Sequence, residues 1–212
     1  MAIAFDSATA GEASATSLTF SHTATGSELC AIVSIFKAGA SDDLTGVTYG
    51  GTGMTLIRSQ IDSTSANWEY LYILLNPATG AQNVVVSLSA SHIIDAQCST
   101  YTGAKQSAQP DSSNSGNSGT ATSLTVSTTT VANNCWLVGG FRANGTPVAG
   151  TNTTNRTTVS SHGAIFGDSN GPQTIGSKSL QETDAGNPNG WIGVVASITP
   201  AQQPSSNFLA FI

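Results

Sequence analysis

ATSLTFSHTATGSELCAIVSIFKA (Ala15–Ala38) is written again as ATSLTVSTTTVANNCWLVGGFRA (Ala121–Ala143), with one single-residue gap. Ala15-Thr16-Ser17-Leu18-Thr19 falls on Ala121-Thr122-Ser123-Leu124-Thr125. Beyond the gap Cys30 falls on Cys135, Phe36 on Phe141 and Lys37 on Arg142. A repeat at half the chain length implies one supersecondary unit used twice. Inside it, Leu18 and Phe20 alternate with hydroxyl residues, as do Leu124 and Val126. That is the period of a strand with one buried face. Ala31–Phe36 and Leu71–Leu75 are near-continuous apolar runs and read as central strands.

Extending outward, the predicted strands of the first half are Ile3–Phe5, Ser17–His22, Cys30–Phe36, Gly46–Tyr49, Thr55–Gln60, Trp68–Leu75, Asn83–Ser89 and Ala96–Thr102. Those of the second are Ser123–Thr129, Cys135–Phe141, Arg156–Ser160, Gly163–Phe166, Gln173–Leu180 and Trp191–Thr199. Asn76-Pro77-Ala78-Thr79-Gly80 is a hairpin signal, matched in the second half by Asp168-Ser169-Asn170-Gly171-Pro172. No segment carries the 3.6-residue period of a helix. The expected fold is therefore all-β: an internally duplicated antiparallel β-sandwich, jelly-roll or Ig-like, with two similar halves. The expected division is 1–106 for the first sandwich, 107–122 for a flexible Ser/Gly/Asn-rich connection and 123–204 for the second sandwich. Residues 205–212 form an apolar tail.

Composition narrows function mainly by exclusion. Only 8% of the 212 residues are charged, and the net charge is -6. The six basic residues are scattered singly, so no patch for nucleic acid or an anionic membrane is expected. No apolar run approaches the roughly 20 residues of a membrane span. The first residues, MAIAFDSATAGEAS, lack the basic and apolar regions of a signal peptide. Synthesis in a host cytoplasm is the corresponding expectation. Cys30, Cys98 and Cys135 are an odd number without C-x-x-C spacing, and read as small buried hydrophobes.

Candidate chemistry is sparse. Ser161-His162 with Asp168 can be written as a triad, but no G-x-S-x-G context surrounds it, and His162 reads as a surface-loop residue. Asp111–Gly116 lacks the ligand spacing of a calcium loop. Three Asn-x-Thr matches, at Asn144, Asn152 and Asn155, are expected by chance in so Asn- and Thr-rich a chain. Glu69, between Trp68 and Tyr70, is the one carboxylate placed to be buried or to contact a sugar. No catalytic, cofactor or metal site is predicted. Trp68, Tyr70 and Tyr72 share one strand face and are candidate ligand-binding aromatics, whereas Trp136 and Trp191 read as core. Phe208, Leu209, Phe211 and Ile212 are candidate assembly residues. Their burial is worth roughly 6–12 kcal/mol gross, whether the tail packs back on this chain as a final strand or inserts into a partner.

The order TSLTFSHT, VTYGGTGMTLI, LNPATGAQNVVV, YTG and WIGVVASITP resembles an uncharacterised duplicated β-sandwich family of phage virion and bacterial surface proteins. The resemblance spans Thr16 to Pro200. It implies the fold and carries no catalytic residues. The expectation is a non-enzymatic structural protein of a tailed-phage virion, a head decoration protein or capsid fibre. It would form a homo-oligomer, with a trimer fitting a local three-fold site, and would contact other virion proteins. The alternative is a glycan- or receptor-binding module of a tail fibre or adhesin.

Overall fold

A computed structural model describes residues 1–62, 64–184, 186 and 190–202. Among these every regular element is a strand: β1 (Ala4–Ala24), β2 (Cys30–Lys37), β3 (Leu44–Tyr49), β4 (Thr52–Gly53), β5 (Thr55–Ile61), β6 (Trp68–Leu75), β7 (Gly80–Thr102), β8 (Ser112–Ser118), β9 (Ser123–Thr130), β10 (Trp136–Arg142), β11 (Val148–Ala149), β12 (Thr154–Val159), β13 (Ala164–Asp168), β14 (Gly176–Thr183) and β15 (Trp191–Ile198). All pairings are antiparallel.

The first half is one sheet in the order β4-β3-β7-β2-β6-β5, with β1 along β7. Two long strands shape it. β1 follows β7 from Ala4↔Thr102 to Ala24↔Gly80, with a bulge between Ala15 and Ser17. On its other side β7 pairs first with β3 and later with β2. The bulge moves the inward face of β1 from odd to even positions, as one extra residue must. Even-numbered residues of β7 supply Val84, Val86, Leu88, Ile94, Ala96 and Cys98 to one core. Leu18, Val47 and Tyr49 meet them from the early part of the sheet, and Ala31, Val33, Ile35 and Tyr70 from the later part. The sheet thus curls over its own face.

The second half has a five-stranded sheet, β12-β13-β10-β15-β8, and a three-stranded sheet, β11-β14-β9. Leu124, Val126 and Leu180 of the smaller sheet pack on Leu137, Phe141, Trp191 and Val195 of the larger. A further core joins the halves. Ile32, Leu71, Ile73 and Tyr101 meet Trp136, Val138, Phe166, Val194 and Ile198 across this seam. Residues of β2, β10 and β15 alternate between their own half's core and the seam. Both faces of these strands are buried, which explains their unbroken apolar runs.

Several expectations change. The isolated strand Ile3–Phe5 is the start of β1, which continues through Asp6–Thr16; Asn83–Ser89 and Ala96–Thr102 are parts of the single strand β7. The stretch 107–122 is not merely a flexible connection, because Ser112–Ser118 form β8 and pair along β15. Edge pairing with a buried partner suffices to order a strand that has no apolar period of its own. A turn does form at Asn76, with Asn76 in the left-handed region at φ 51°, but it is not a hairpin, because β2 lies between β6 and β7. The matching turn at Asp168–Pro172 joins β13 and β14 of different sheets. All three cysteines are free and buried, and burial pushes the Cys30 thiol up to about 12. The tail residues Phe208, Leu209, Phe211 and Ile212 lie outside the described residues.

Candidate functional site

A row of carboxylates follows from strand register. Glu12 on β1 pairs with Asp95 on β7, Asp95 with Phe36 on β2, and Phe36 with Glu69 on β6. Cross-strand partners point to the same face, here the face toward the seam. One row therefore reads Glu12–Asp95–Phe36–Glu69, three carboxylates about 4.8 Å per strand apart and interrupted by one ring.

The second half supplies the opposing groups. β12 returns into β13 through Ser160-Ser161-His162-Gly163, closed by the pair Val159↔Ala164. Gly163 has φ +69°, and a Cβ there would overlap the carbonyl oxygen of Ala143, so the turn requires glycine. The turn presents His162, whose Nδ1–H donates to Asp95 at 2.9 Å from Oδ1 and 3.1 Å from Oδ2. Its ring stacks on Phe36 with centroids 6.4 Å apart. Ser161 donates its hydroxyl to Glu12 Oε2. Arg142, at the end of β10, lies over the Phe36 ring at 4.8 Å. Its Nε–H donates to the His162 carbonyl at 3.2 Å and its Nη1–H to the Gly190 carbonyl at 3.5 Å.

Deeper in the row Glu69 is fully enclosed. Ser34 donates to its Oε1 at 2.5 Å, whereas Oε2 has no hydrogen-bond partner among the described residues. Burial pushes its carboxyl up to about 8, with the neighbouring Asp95 charge adding to the rise. Burial likewise raises Asp95 to about 6, against the pull of His162. The two sheets approach closely here, where a Cβ at Gly140 would overlap Ser34 Oγ and Glu69 Oε1. Two clefts open beside the outer end of the row. One of about 390 Å³ is bordered by Glu12 and His162, and one of about 310 Å³ by Glu12 and Ser161. Glu12, Asp95 and His162 bring their ligand atoms within 4.8 Å of one another.

This is not the triad that the sequence allows to be written. Asp168 is buried elsewhere, held by Arg156 at 2.7 Å and 3.0 Å and by the Tyr101 hydroxyl at 2.8 Å. Asp95 takes its place beside His162. Yet Ser161 Oγ, at 3.3 Å, and Asp95 both face Nδ1. A Ser–His–Asp relay needs hydroxyl and carboxylate on opposite ring nitrogens.

The remaining candidates resolve as packing or local structure. Tyr70 is buried and donates to Asp42 Oδ1 at 2.7 Å. Trp68 stacks on it at 5.6 Å and donates to the Ala40 carbonyl at 2.9 Å. Trp68 and Tyr72 are half-buried against the first-half core, so the three rings form no continuous exposed platform. Trp136 and Trp191 are core residues, as expected. His22 is buried, bonded to Thr9, Ser7 and Thr100. His92 pairs with Asp43 at 2.7 Å. No protein-family model matches the chain, and no curated protein matches it.

Proposed function

We propose that the chain is a duplicated antiparallel β-sandwich that works by protein–protein assembly, as a structural component of a tailed-phage virion such as a head decoration protein or capsid fibre. The duplication has a direct counterpart in strand pairing. In the first half β2 lies between β6 and β7, β6 also pairs β5, and β7 also pairs β1 and β3. In the second, β10 lies between β13 and β15, β13 also pairs β12, and β15 also pairs β8. β14 pairs β9 and β11, as the early part of β7 pairs β1 and β3. Two such units stacked through a continuous seam make a stiff block with few charges on it.

The observation that carries assembly is where the apolar surface collects. The Met1 amino group donates to the Ala201 carbonyl at 2.9 Å, so both described ends of the chain meet. Beside them a cleft of about 530 Å³ is lined by Met1, Ala132, Asn133 and Pro200. Val131 and Ile175 nearby are 58% and 60% exposed. The segment carrying Phe208, Leu209, Phe211 and Ile212 follows from this end. Apolar groups gathered at the end of the described chain, with an apolar sequence still to follow, favour contact with another copy or with a neighbouring virion protein.

The test is the solution mass of the full chain beside one ended at Gln203, measured by light scattering on a sizing column. A closed oligomer, with a trimer fitting a three-fold site, that becomes monomeric on truncation supports the proposal. A full chain that is monomeric at every concentration, alone and with purified phage heads, overturns it.

A further inference from the structure

The seam ends in a cluster of metal-ligating side chains. Three carboxylates of the first half, Glu12, Asp95 and Glu69, lie in one row. The groups facing them from the second half are Arg142 and His162. The hydrogen bonds of Arg142 go to the His162 and Gly190 carbonyls rather than to a carboxylate. The Asp95 side chain is 0% exposed. Glu69 Oε2, also buried, has no hydrogen-bond partner among the described residues. Like charges opposite each other on neighbouring strands, as Glu12 and Asp95 are, destabilise a sheet unless a cation joins them.

We propose that Glu12, Asp95 and His162 form a binding site for a divalent first-row transition-metal ion, zinc foremost, that staples the two halves together. Two donors about 2.1 Å from one ion and about 90–110° apart stand roughly 3.0–3.4 Å from each other. His162 Nδ1 and the two Asp95 oxygens, at 2.9 and 3.1 Å, lie close to that spacing, and the ion takes the place of the Nδ1 proton between them, leaving the ring protonated on Nε2. Glu12 reaches the same point with an exposed, adjustable side chain, and the Ser161 hydroxyl orients its carboxylate from outside. The cleft bordered by Glu12 and His162 leaves room for water on the remaining positions. One imidazole with two carboxylates selects zinc, manganese or iron(II) over calcium and magnesium, which take all-oxygen shells. The ligands come from both halves: Glu12 and Asp95 from β1 and β7, and His162 from the turn between β12 and β13. Binding therefore resists separation at the seam.

The full chain, stripped with a chelator and returned to metal-free buffer, is titrated calorimetrically with zinc chloride. Cobalt(II) absorption reports the donor set independently. His162→Ala and Glu12→Gln alter side chains at the surface end of the row, and thermal melting without metal checks that both variants fold. The expected result is one zinc per chain, undisturbed by millimolar magnesium. Each variant weakens it by about 100-fold or more, at least what loss of a supporting residue costs. Zinc raises the melting temperature of the parent and not of the variants. No saturable binding to the parent overturns the proposal. So does binding that both folded variants retain at the parent's affinity.

Discussion

Replacing Glu69 with Gln tests the electrostatic reading of the seam in one step. The side chain keeps its shape and its acceptor for Ser34, and loses only the ability to ionise. In the folded protein burial raises the Glu69 carboxyl from its ordinary value of 4.5 to about 8. Between those values the folded state holds a proton that the unfolded state has released. Stability is thus complete below about pH 4.5 and falls as pH rises toward 8. At about 1.4 kcal/mol per pH unit, the loss reaches roughly 3 kcal/mol at pH 7 and roughly 5 kcal/mol above pH 8. Asp95, raised to about 6, and Glu182, raised by burial to about 8, tilt the parent in the same direction. The comparison with Glu69→Gln isolates the share of Glu69. Urea unfolding at pH 5, 6, 7 and 8, with metal excluded, should find the variant equal to or slightly below the parent at pH 5. At pH 8 it should be more stable by about 2–4 kcal/mol, allowing for the amide left unpaired in the place of Oε2. Parallel stability curves across this range would refute the reasoning, because Glu69 would then be ionised or hydrated in the folded state.

Gly140→Ala pushes a methyl group into Ser34 and Glu69 where the two sheets meet. It should cost about 1–3 kcal/mol in urea unfolding, more than an alanine at the open position Gly46. Arg156→Ala leaves the Asp168 carboxylate buried without its bidentate partner. A loss of about 3–5 kcal/mol is expected, against about 1–2 kcal/mol for Tyr101→Phe, both read from denaturant midpoints. Trp68→Ala should lower the melting temperature through lost stacking on Tyr70. A glycan array that shows sugar binding by the parent, abolished in a folded Trp68→Ala variant, would return these aromatics to a recognition role.

The fold was legible where side chains alternate or run apolar. Leu18/Phe20, Leu124/Val126 and Ala31–Phe36 mark their strands because burial on one face or both leaves a visible pattern. Asp6–Thr16 and Ser112–Ser118 carry no such pattern. Small and hydroxyl residues there are strands because β7 and β15 offer long partners, a tertiary cause that no local window contains. The ionisable row was hidden for the same reason. Glu12 and Asp95 become neighbours only through the register of two long strands, and His162 arrives from the other half. A signal did exist. In a chain with 8% charged residues, Asp95 interrupts the apolar run Ile93-Ile94-Asp95-Ala96, as Glu69 interrupts Trp68-Glu69-Tyr70. An acid in such a place is either paired or protonated. Glu69, singled out on that ground, is buried; Asp95 was the equal case passed over.

The central claim is that two similar β units are joined by the seam into one rigid block, and hydrogen exchange followed by mass spectrometry tests it most directly. The account predicts that peptides covering β2, the Ile94–Thr102 part of β7, β10 and β15 are the slowest to exchange. They should open together, at one rate, when mild denaturant is added. Rapid exchange of β10 and β15 while β2 and β7 stay protected, or the reverse, would mean that the halves open independently, and would contradict it.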